Sequence, residues 1–477
     1  MTAKPNIVVV VSDTLRAGHV GCYGSDRIQT PNLDAFAAES VRFARAYPES
    51  LPTIPVRRAL HTGRRAYPFR DYRPVKWDIV YLPGWQAMDN EEDTLAENLA
   101  AAGYQTGFVT DTLPYFAPGF NFQRGFWQWE YIRGQQQDRW RSPFAVSDER
   151  LRRYGDLQDI KKNMHALVPM HLANTARVRS EEDTTTARTF QWAMDFLDDN
   201  AERGEPFYLL VDCFDPHEPW EAPEDYYRMY GDAGYSGRRI VHCGYGPAEW
   251  FGYTPEEIAY VENQYCGLVT LVDAWFGRFL RKLRGLGLER STAVFFISDH
   301  GTNFCRNPRN VIGKPADAMY PGVMHLPFIA KLPGAPLNGS VCNELVYNID
   351  LPATICDLAG VASADGIDGQ SLTPLLTGEG AWQRREYVTC RYAHSLCYID
   401  EKGWFLTDLD GTPQEFFDLE ADPACRENIV EKAGKKRLDQ AWDRLLHDAG
   451  GDLPDYRAEK QTDAIGQKVT RQIGKGV

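Results

Sequence analysis

Two carboxylates and one imidazole follow apolar runs, at positions where strands of an α/β sheet would end. Asp13 follows the run 7–11 and Ser12, and Asp299 and His300 follow the run 293–297. The carboxyl ends of parallel strands meet at one edge of an open sheet, where such folds bind their ligands. Two carboxylates and one imidazole gathered there can share a divalent cation. The sequence therefore predicts a metal site at Asp13, Asp299 and His300.

A hydroxyl and a guanidinium lie at the start of a predicted helix. Thr53 is followed by Pro55 and then by a run without helix breakers that ends at Gly63. This pattern is typical of a helix with a hydroxyl at its N-cap. A helix N-terminus stabilises negative charge, and Arg57 projects from the same end. Both a plain helix cap and a nucleophile in a positive field fit this pattern.

Further short motifs follow one another along the chain in a fixed order. They are Asp13-Thr14-Leu15-Arg16, Thr53-Ile54-Pro55-Val56-Arg57 with Thr62-Gly63-Arg64, Asp215-Pro216-His217-Glu218, Asp299-His300-Gly301, Ile312-Gly313-Lys314 and Phe416-Phe417-Asp418-Leu419. Their types and order resemble the sulfatase-like branch of the alkaline phosphatase superfamily. The resemblance spans residues 4 to about 430.

The resemblance implies catalytic roles for four residues. Thr53 falls at the nucleophile position of the family's C/S-x-P-x-R signature, and Arg57 is the arginine of that signature. His217 corresponds to the substrate-side histidine, and Lys314 corresponds to the lysine that contacts the substrate anion. The implied reaction is a double displacement through a covalent ester on Thr53.

The resemblance also implies one divalent cation, which is calcium, magnesium, manganese or zinc. Its implied ligands are Asp13, Thr53, Asp299 and His300. Two-metal relatives hold a second cation with further Asp and His residues. His217 and Lys314 occupy that side here, which favours a single metal.

Threonine at position 53 departs from the sulfatase pattern. Sulfatases oxidise a cysteine or serine at this position to formylglycine, whereas oxidation of threonine at Cβ would give a ketone. Thr14 also stands where many sulfatases have a second aspartate. These departures resemble the phosphonate monoester hydrolase and phosphodiesterase branch. A formylglycine hemiacetal can expel sulfate by elimination, whereas a sulfate ester of threonine is released only by attack of water. The chemistry therefore favours a phosphodiester or phosphonate monoester substrate over a sulfate ester.

Three alternatives stay open at the level of sequence. The chain is a true sulfatase without formylglycine, a catalytically silent binding protein, or a mutase or transferase that passes the bound group to an alcohol. Retention of all the implied ligands and charges argues against a silent protein, because a decayed site loses them together.

Three further residues are candidates for substrate binding. His325 enters a predicted strand, and His19 lies soon after Asp13 in the sequence. Thr110 closes another predicted strand and faces the same sheet edge. A structural histidine is the alternative interpretation for His325, and loop packing is the alternative for His19.

The elements that must position these residues alternate between strand and helix. Strands are predicted at 7–11, 105–110, 207–212, 293–298 and 327–331, and helices at 32–39, 94–102, 181–200, 256–286 and 350–359. This alternation indicates an α/β fold with a large, mostly parallel central sheet flanked by helices.

Two other regions differ from this alternation. From about residue 384 the segments shorten into hairpins, followed by a helix at 433–449. We therefore predict a catalytic α/β domain at 1–383 and a C-terminal α+β subdomain with a small antiparallel sheet at 384–477. Residues 114–180 form a long, irregular insertion rich in aromatic residues and arginine, expected to be a substrate-facing lid or a surface excursion. Its aromatic cluster can bind a substrate ring or pack a subunit contact, so a homo-oligomer is an open expectation.

Composition excludes several classes of partner. The net charge of -14 and the isoelectric point near 5.3 argue against binding to nucleic acid or to an anionic membrane. A small anionic ester would need a local basic pocket. The ten cysteines include no CxxC pair, and no run reaches the roughly 18 apolar residues of a spanning helix. The N-terminus also lacks a signal-peptide pattern. Together with the cysteine spacing and the short apolar runs, this pattern predicts a cytoplasmic protein with reduced thiols.

Overall fold

Sixteen strands occur in the parts of the chain that the computed structural model describes, residues 4–70, 72–73, 82–117, 119–362 and 366–457. In chain order they are β1 (Asn6–Ser12), β2 (Val41–Tyr47), β3 (Ser50–Leu51), β4 (Gln105–Thr110), β5 (Gln128–Tyr131), β6 (Phe207–Cys213), β7 (Gly246–Pro247), β8 (Thr292–Ser298), β9 (Asn303–Phe304), β10 (Val311–Gly313), β11 (Leu326–Lys331), β12 (Val341–Tyr347), β13 (Tyr387–Tyr392), β14 (Ser395–Asp400), β15 (Gly403–Asp408) and β16 (Pro413–Asp418).

Thirteen α-helices accompany these strands within the described ranges. They are α1 (Pro31–Ala38), α2 (Thr53–Thr62), α3 (Leu95–Ala101), α4 (Asp148–Arg152), α5 (Leu157–Lys161), α6 (Leu167–Asn174), α7 (Thr185–Asn200), α8 (Glu224–Tyr227), α9 (Pro255–Gly285), α10 (Pro321–Met324), α11 (Asp350–Ala359), α12 (Thr373–Thr377) and α13 (Lys435–Asp448). In these ranges no helix is both long and apolar enough to cross a bilayer.

Eight strands build the central sheet in the order β12-β2-β11-β8-β1-β6-β4-β5. Neighbouring strands are parallel except at β11, which runs antiparallel to both β8 and β2. Central strand β1 is buried on both faces, and its side chains alternate between two apolar cores. Helices α2, α3 and α11 cover one face, and α1, α7 and α9 cover the other. The predicted α/β fold with a mostly parallel sheet is confirmed.

A five-stranded sheet follows in the C-terminal part, in the order β16-β15-β14-β13-β3. Strands β13 to β16 are antiparallel neighbours, as the hairpin pattern predicted. Strand β3, which directly precedes α2, pairs in parallel with β13. The small sheet therefore holds the segment that leads into the helix of Thr53. The division at residue 384 stays a prediction, and residues 458–477 lie outside the described ranges.

The predicted elements of the central sheet agree closely with the structure, but three strands were missed. The five predicted strands match β1, β4, β6, β8 and β11 to within one residue at either end, and α11 has the predicted bounds. The missed strands are β2, β5 and β12. Polar residues at positions 42, 45, 343 and 344 interrupt the apolar runs of β2 and β12. Their strand character depends on pairing, because β2 pairs with both β11 and β12, and β12 pairs with β2.

The insertion at 114–180 contains β5, α4, α5 and α6 rather than a wholly irregular path. Leu151, Met164 and Leu172 form a small apolar cluster of its own. Strand β5 adds to the edge of the central sheet beside β4. Trp127 and Phe144 are strongly exposed.

Trp404 on β15 joins the small sheet to the central core, and its loss should destabilise the protein. Its indole N–H donates to the Met319 carbonyl at 3.0 Å, and its ring packs edge-on against Tyr47 of β2. We expect Trp404→Ala to lower the free energy of unfolding by about 3 to 5 kcal/mol, measured by urea denaturation. Trp127→Ala removes an exposed indole and should change it by less than about 0.5 kcal/mol. Equal effects of the two substitutions would contradict this description of the core.

Candidate active site

Three carboxylates lie at the carboxyl edge of the central sheet. Asp13 follows β1, Asp299 follows β8, and Asp212 is the penultimate residue of β6. Strand β1 pairs in parallel with both β6 and β8, so three neighbouring strands deliver acidic side chains to one place. All three residues are completely buried. Buried like charges repel each other strongly unless cations lie between them.

The Arg57 guanidinium, which comes from α2, lies between these carboxylates. Its Nε and Nη2 donate to Asp212 at 2.9 and 2.8 Å, and its Nη1 donates to Asp299 at 2.5 Å. Nη2 also lies 3.0 Å from Asp13 Oδ2. Burial opposes the charge of Arg57, but the three carboxylates outweigh this effect and raise its pKa. One cation among three carboxylates still leaves an excess of negative charge.

Asp13, Asp299 and His300 form a group that fits a divalent cation. One ligand atom from each lies within 4.8 Å of the others. Within the described part of the chain, no group donates a hydrogen bond to Asp13 Oδ2. Burial and the neighbouring charge of Asp299 raise the pKa of Asp13, so the pair needs more positive charge to ionise fully. Two carboxylates and one imidazole suit magnesium, calcium, manganese or zinc.

Backbone groups orient these three side chains. The amides of Thr14 and His300 donate to Asp299 Oδ1 at 2.9 and 2.7 Å. The Thr14 hydroxyl donates to Asp13 Oδ1 at 2.7 Å, and Thr14 has a φ of 62°, which is strained for a β-branched residue. His300 Nδ1 donates to the Gly301 carbonyl at 3.1 Å, which leaves Nε2 as the ligand atom.

Thr53 is the first residue of α2, and Pro52 is the N-cap. The sequence-based prediction that the Thr53 hydroxyl caps the helix is wrong, because no side chain accepts a hydrogen bond at this cap. Its Oγ1 instead lies 3.4 Å from His300 Nε2. The Thr53 hydroxyl therefore faces the metal-ligand group instead of capping the helix.

Lys314 and Glu218 form a second buried cluster beside the first. Lys314 Nζ donates to both Glu218 oxygens, at 3.0 and 2.8 Å, and to Thr14 Oγ1 at 3.3 Å. Thr14 therefore touches both Asp13 and Lys314. Burial opposes the charge of Lys314, but Glu218 and Asp13 outweigh it and raise its pKa.

His217 is held beside this pair in one tautomer. Its ring stacks on Phe214, and its Nδ1 donates to the Glu218 carbonyl at 2.6 Å. Burial and the charge of Lys314 lower the pKa of His217 to about 3, so the ring is neutral at neutral pH. Its Nε2 therefore carries a lone pair and can accept a proton.

The three residues predicted to bind substrate, His19, Thr110 and His325, form hydrogen bonds within the protein. His325 Nε2 donates to the Ala44 carbonyl at 2.8 Å, and His19 Nε2 hydrogen-bonds to Glu262 at 3.1 Å. Thr110 Oγ1 accepts the amide of Thr112 at 2.9 Å. These side-chain contacts do not reach Thr53 or the metal-ligand group, so substrate binding by His19, Thr110 and His325 stays a prediction.

Sequence reasoning missed two residues of the site. Asp212 ends a predicted strand, as Asp13 and Asp299 nearly do, so the same strand-end pattern could have identified it. Glu218 lies inside the motif of His217 but was given no role. Nothing in the sequence indicates that it pairs with Lys314, which lies 96 positions away.

The insertion contacts the loop of His217. Gln135 Nε2 donates to Asp111 at 3.2 Å and to Asp215 at 3.3 Å, and Gln136 lies 3.4 Å from His217 Nδ1. Burial raises the pKa of Asp111 to about 7 and that of Asp215 to about 6. These contacts connect the insertion to the substrate-side loop.

Comparison with protein families shows the family of the chain. A family model described as Sulfatase matches residues 5–361. The chain belongs to the sulfatase family. A second model, described as N-sulphoglucosamine sulphohydrolase, C-terminal, matches residues 316–449. The family resemblance inferred from the motifs is confirmed, and this sulfatase-family chain is an ester hydrolase.

Individual relatives cover nearly the whole of this sulfatase-family chain. The Ulvan-active sulfatase of Formosa agariphila is 25% identical over 464 residues, covering 95% of the chain and 82% of that protein. The arylsulfatase of Clostridium perfringens is 25% identical over 487 residues, covering 94% and 95%. The phosphonate monoester hydrolase structure of Agrobacterium radiobacter has a TM-score of 0.71 at 20% identity, covering 94% and 96%, which shows a shared fold.

Asp13 should be needed for cation binding. We expect Asp13→Asn to weaken binding of a divalent cation by at least about 100-fold, because the substitution removes a buried anionic ligand. Metal content after dialysis and calorimetric titration of the cation measure this effect. Asp225→Asn changes an exposed aspartate on α8 and is the matched control. Unchanged metal content in Asp13→Asn would exclude this site.

His61 on α2 should make stability depend on pH. Burial among aromatic rings, with Arg57 nearby, lowers its pKa to about 3, whereas the unfolded chain binds this proton near pH 6.5. Unfolding therefore takes up a proton between these values, and stability falls as pH decreases. We expect His61→Phe to reduce the loss of unfolding free energy between pH 7 and pH 5 by about 2 kcal/mol. Urea unfolding at both pH values measures it, and an unchanged difference would contradict the assignment.

Proposed function

We propose that this sulfatase-family chain hydrolyses a phosphodiester or phosphonate monoester through a covalent ester on Thr53. The observation that carries the proposal is the position of the Thr53 hydroxyl, 3.4 Å from His300 Nε2 at the buried Asp13 and Asp299 edge. A threonine hydroxyl there can act as a nucleophile, but its oxidation at Cβ would give a ketone and not formylglycine. Hydrolysis of its ester therefore requires attack by water.

A divalent cation held by Asp13, Thr53, Asp299 and His300 would supply Lewis-acid polarisation of the ester and lower the pKa of a hydroxyl. In this proposal Arg57 is a positioning residue, because its donors are directed at Asp13, Asp212 and Asp299. It fixes the carboxylates and balances part of their charge.

The first displacement uses Thr53 and Lys314. Thr53 Oγ, after loss of its proton to solvent, forms a bond to phosphorus while the bond to the leaving oxygen breaks. The electron pair of the broken bond stays on the leaving oxygen. Lys314 is buried and positively charged, and it stabilises that oxygen by donating a hydrogen bond or a proton.

The second displacement uses His217 and water. A water molecule attacks phosphorus, and the neutral His217 accepts its proton at Nε2, the nitrogen left free by the bond from Nδ1. The bond between phosphorus and Thr53 Oγ breaks, and its electron pair stays on Oγ. Thr53 Oγ then takes a proton from solvent to regenerate the hydroxyl, and His217 releases its proton to solvent. The buried lysine and the neutral histidine thus have opposite roles in proton transfer.

The proposed partner is a small anionic ester. We also propose a reducing, cytoplasmic environment, because all ten cysteines are free thiols. Cys390 and Cys397 lie directly opposite each other on β13 and β14 and are nevertheless free. Assembly into a homo-oligomer stays an open proposal.

Initial rates on matched esters test the proposed reaction. We expect protein reconstituted with magnesium, calcium, manganese or zinc to hydrolyse bis(p-nitrophenyl) phosphate or p-nitrophenyl phenylphosphonate faster than p-nitrophenyl sulfate. Thr53→Val should lower kcat by at least about 1,000-fold, because it removes the nucleophile and keeps the shape. Thr189→Val is the matched control, since the buried Thr189 hydroxyl on α7 has no hydrogen-bond partner among the described residues.

Each other result identifies an alternative. A preference for the sulfate ester would establish a sulfatase without formylglycine. Turnover that is independent of Thr53 would overturn the covalent mechanism, and the absence of turnover on every ester would favour a silent binding protein or a substrate outside this panel. Transfer of the phosphoryl group to an added alcohol in preference to water would identify a mutase or transferase.

A further inference from the structure

Glu218 is a fully buried carboxylate to which the proposed displacements assign no role. Both of its oxygens accept hydrogen bonds from Lys314, at 3.0 and 2.8 Å. His242 Nε2 lies 3.8 Å from Oε1, and His217 Nδ1 lies 3.4 Å from Oε2. Glu218 is therefore the central group of a cluster that holds the lysine proposed to contact the substrate.

Lys314 is the cation that balances Glu218. Burial lowers the pKa of both His217 and His242, so neither imidazole carries a charge at neutral pH. Burial opposes ionisation of Glu218, but the groups around it hold its pKa below the ordinary value. The pair is thus an ammonium whose charge is matched by one carboxylate at hydrogen-bonding distance.

Acidic side chains outnumber basic ones around Arg57 and Lys314. Four carboxylates face two cationic side chains; these groups are Asp13, Asp212, Glu218, Asp299, Arg57 and Lys314. With all four carboxylates ionised, one divalent cation at the metal-ligand group would bring the sum of these charges to zero. A site with no excess positive charge gives little stabilisation to a second negative charge on a ligand.

We propose that Glu218 is a specificity-determining residue that selects esters whose transferred group carries one negative charge and disfavours doubly charged phosphate monoesters. The selected class comprises phosphodiesters, phosphonate monoesters and sulfate esters. The inference rests on the proposed function for the reaction that follows, but it concerns binding alone. Without Glu218, Lys314 would present an unbalanced charge to the ligand.

A purely structural role for Glu218 leads to a different result. If the carboxylate only positions Lys314, its loss weakens binding of singly and doubly charged ligands by the same factor. If it sets the charge of the site, its loss changes the ratio of the two affinities. The ratio therefore separates charge selection from positioning.

Benzenesulfonate and phenylphosphonate are a matched pair of probes, because they have nearly the same shape but carry one and two charges at about pH 8.5. Calorimetry on the metal-reconstituted protein measures their dissociation constants without turnover. We expect the wild-type protein to bind benzenesulfonate more tightly. Glu218→Gln should shift the affinity ratio towards phenylphosphonate by about tenfold or more.

Two further variants complete the test. Glu221→Gln makes the same change in a carboxylate that hydrogen-bonds to His171 and Tyr154, and it should keep the wild-type ratio. Glu218→Asp retains the charge and should also keep it. A ratio within twofold of wild type in folded Glu218→Gln would overturn the proposal, as would tighter binding of phenylphosphonate by the wild-type protein. The wild-type measurement holds even if Glu218→Gln does not fold, and neither result depends on whether Thr53 is the nucleophile.

Discussion

The interaction on which the site depends is the contact of Arg57 with three buried carboxylates. Asp13, Asp212 and Asp299 end neighbouring strands, and without the guanidinium their repulsion would oppose folding at the sheet edge. The bidentate bond to Asp212 also fixes the orientation of α2, because Arg57 and Thr53 lie on the same first turns of that helix. The same contacts of Arg57 therefore stabilise the folded sheet edge and position Thr53 in the site.

The remaining negative charge explains why the site suits a cation. Arg57 balances only one of the three carboxylates, and Asp13 Oδ2 accepts no hydrogen bond from the described residues. A cation would relieve this imbalance in a place where water cannot screen it. Lys314 relieves it only in part, because Glu218 pairs with the same ammonium. The two basic residues thus have distinct roles, one inside the acidic edge and one beside it.

The small C-terminal sheet and the insertion hold two elements of the site in place. Strand β3 pairs with β13 of the small sheet and leads directly into α2, so the C-terminal part braces the helix that carries Thr53 and Arg57. On the other side, Gln135 and Gln136 connect the insertion to the loop of His217. The rigid sheet supplies the carboxylates, and peripheral segments hold the groups that complete the pocket.

The sequence by itself determined the local parts of this protein. The apolar runs before Asp13 and Asp299 identify strand ends, and the ordered motifs identify the sulfatase family. Apolar periodicity is a property of residues close together in the sequence, so it can be recognised without knowledge of the fold. For this reason α11 and β4 have their predicted bounds.

The tertiary structure alone decided which distant side chains meet. It paired Asp212 with Arg57, 155 positions apart, and Glu218 with Lys314. It also set β11 antiparallel to its neighbours in the sheet. His19 and His325 form hydrogen bonds with Glu262 and Ala44, which no sequence pattern indicated. Charge pairing and burial depend on separation in space, which local sequence pattern does not encode, because chain segments far apart are brought together only when the sheet assembles.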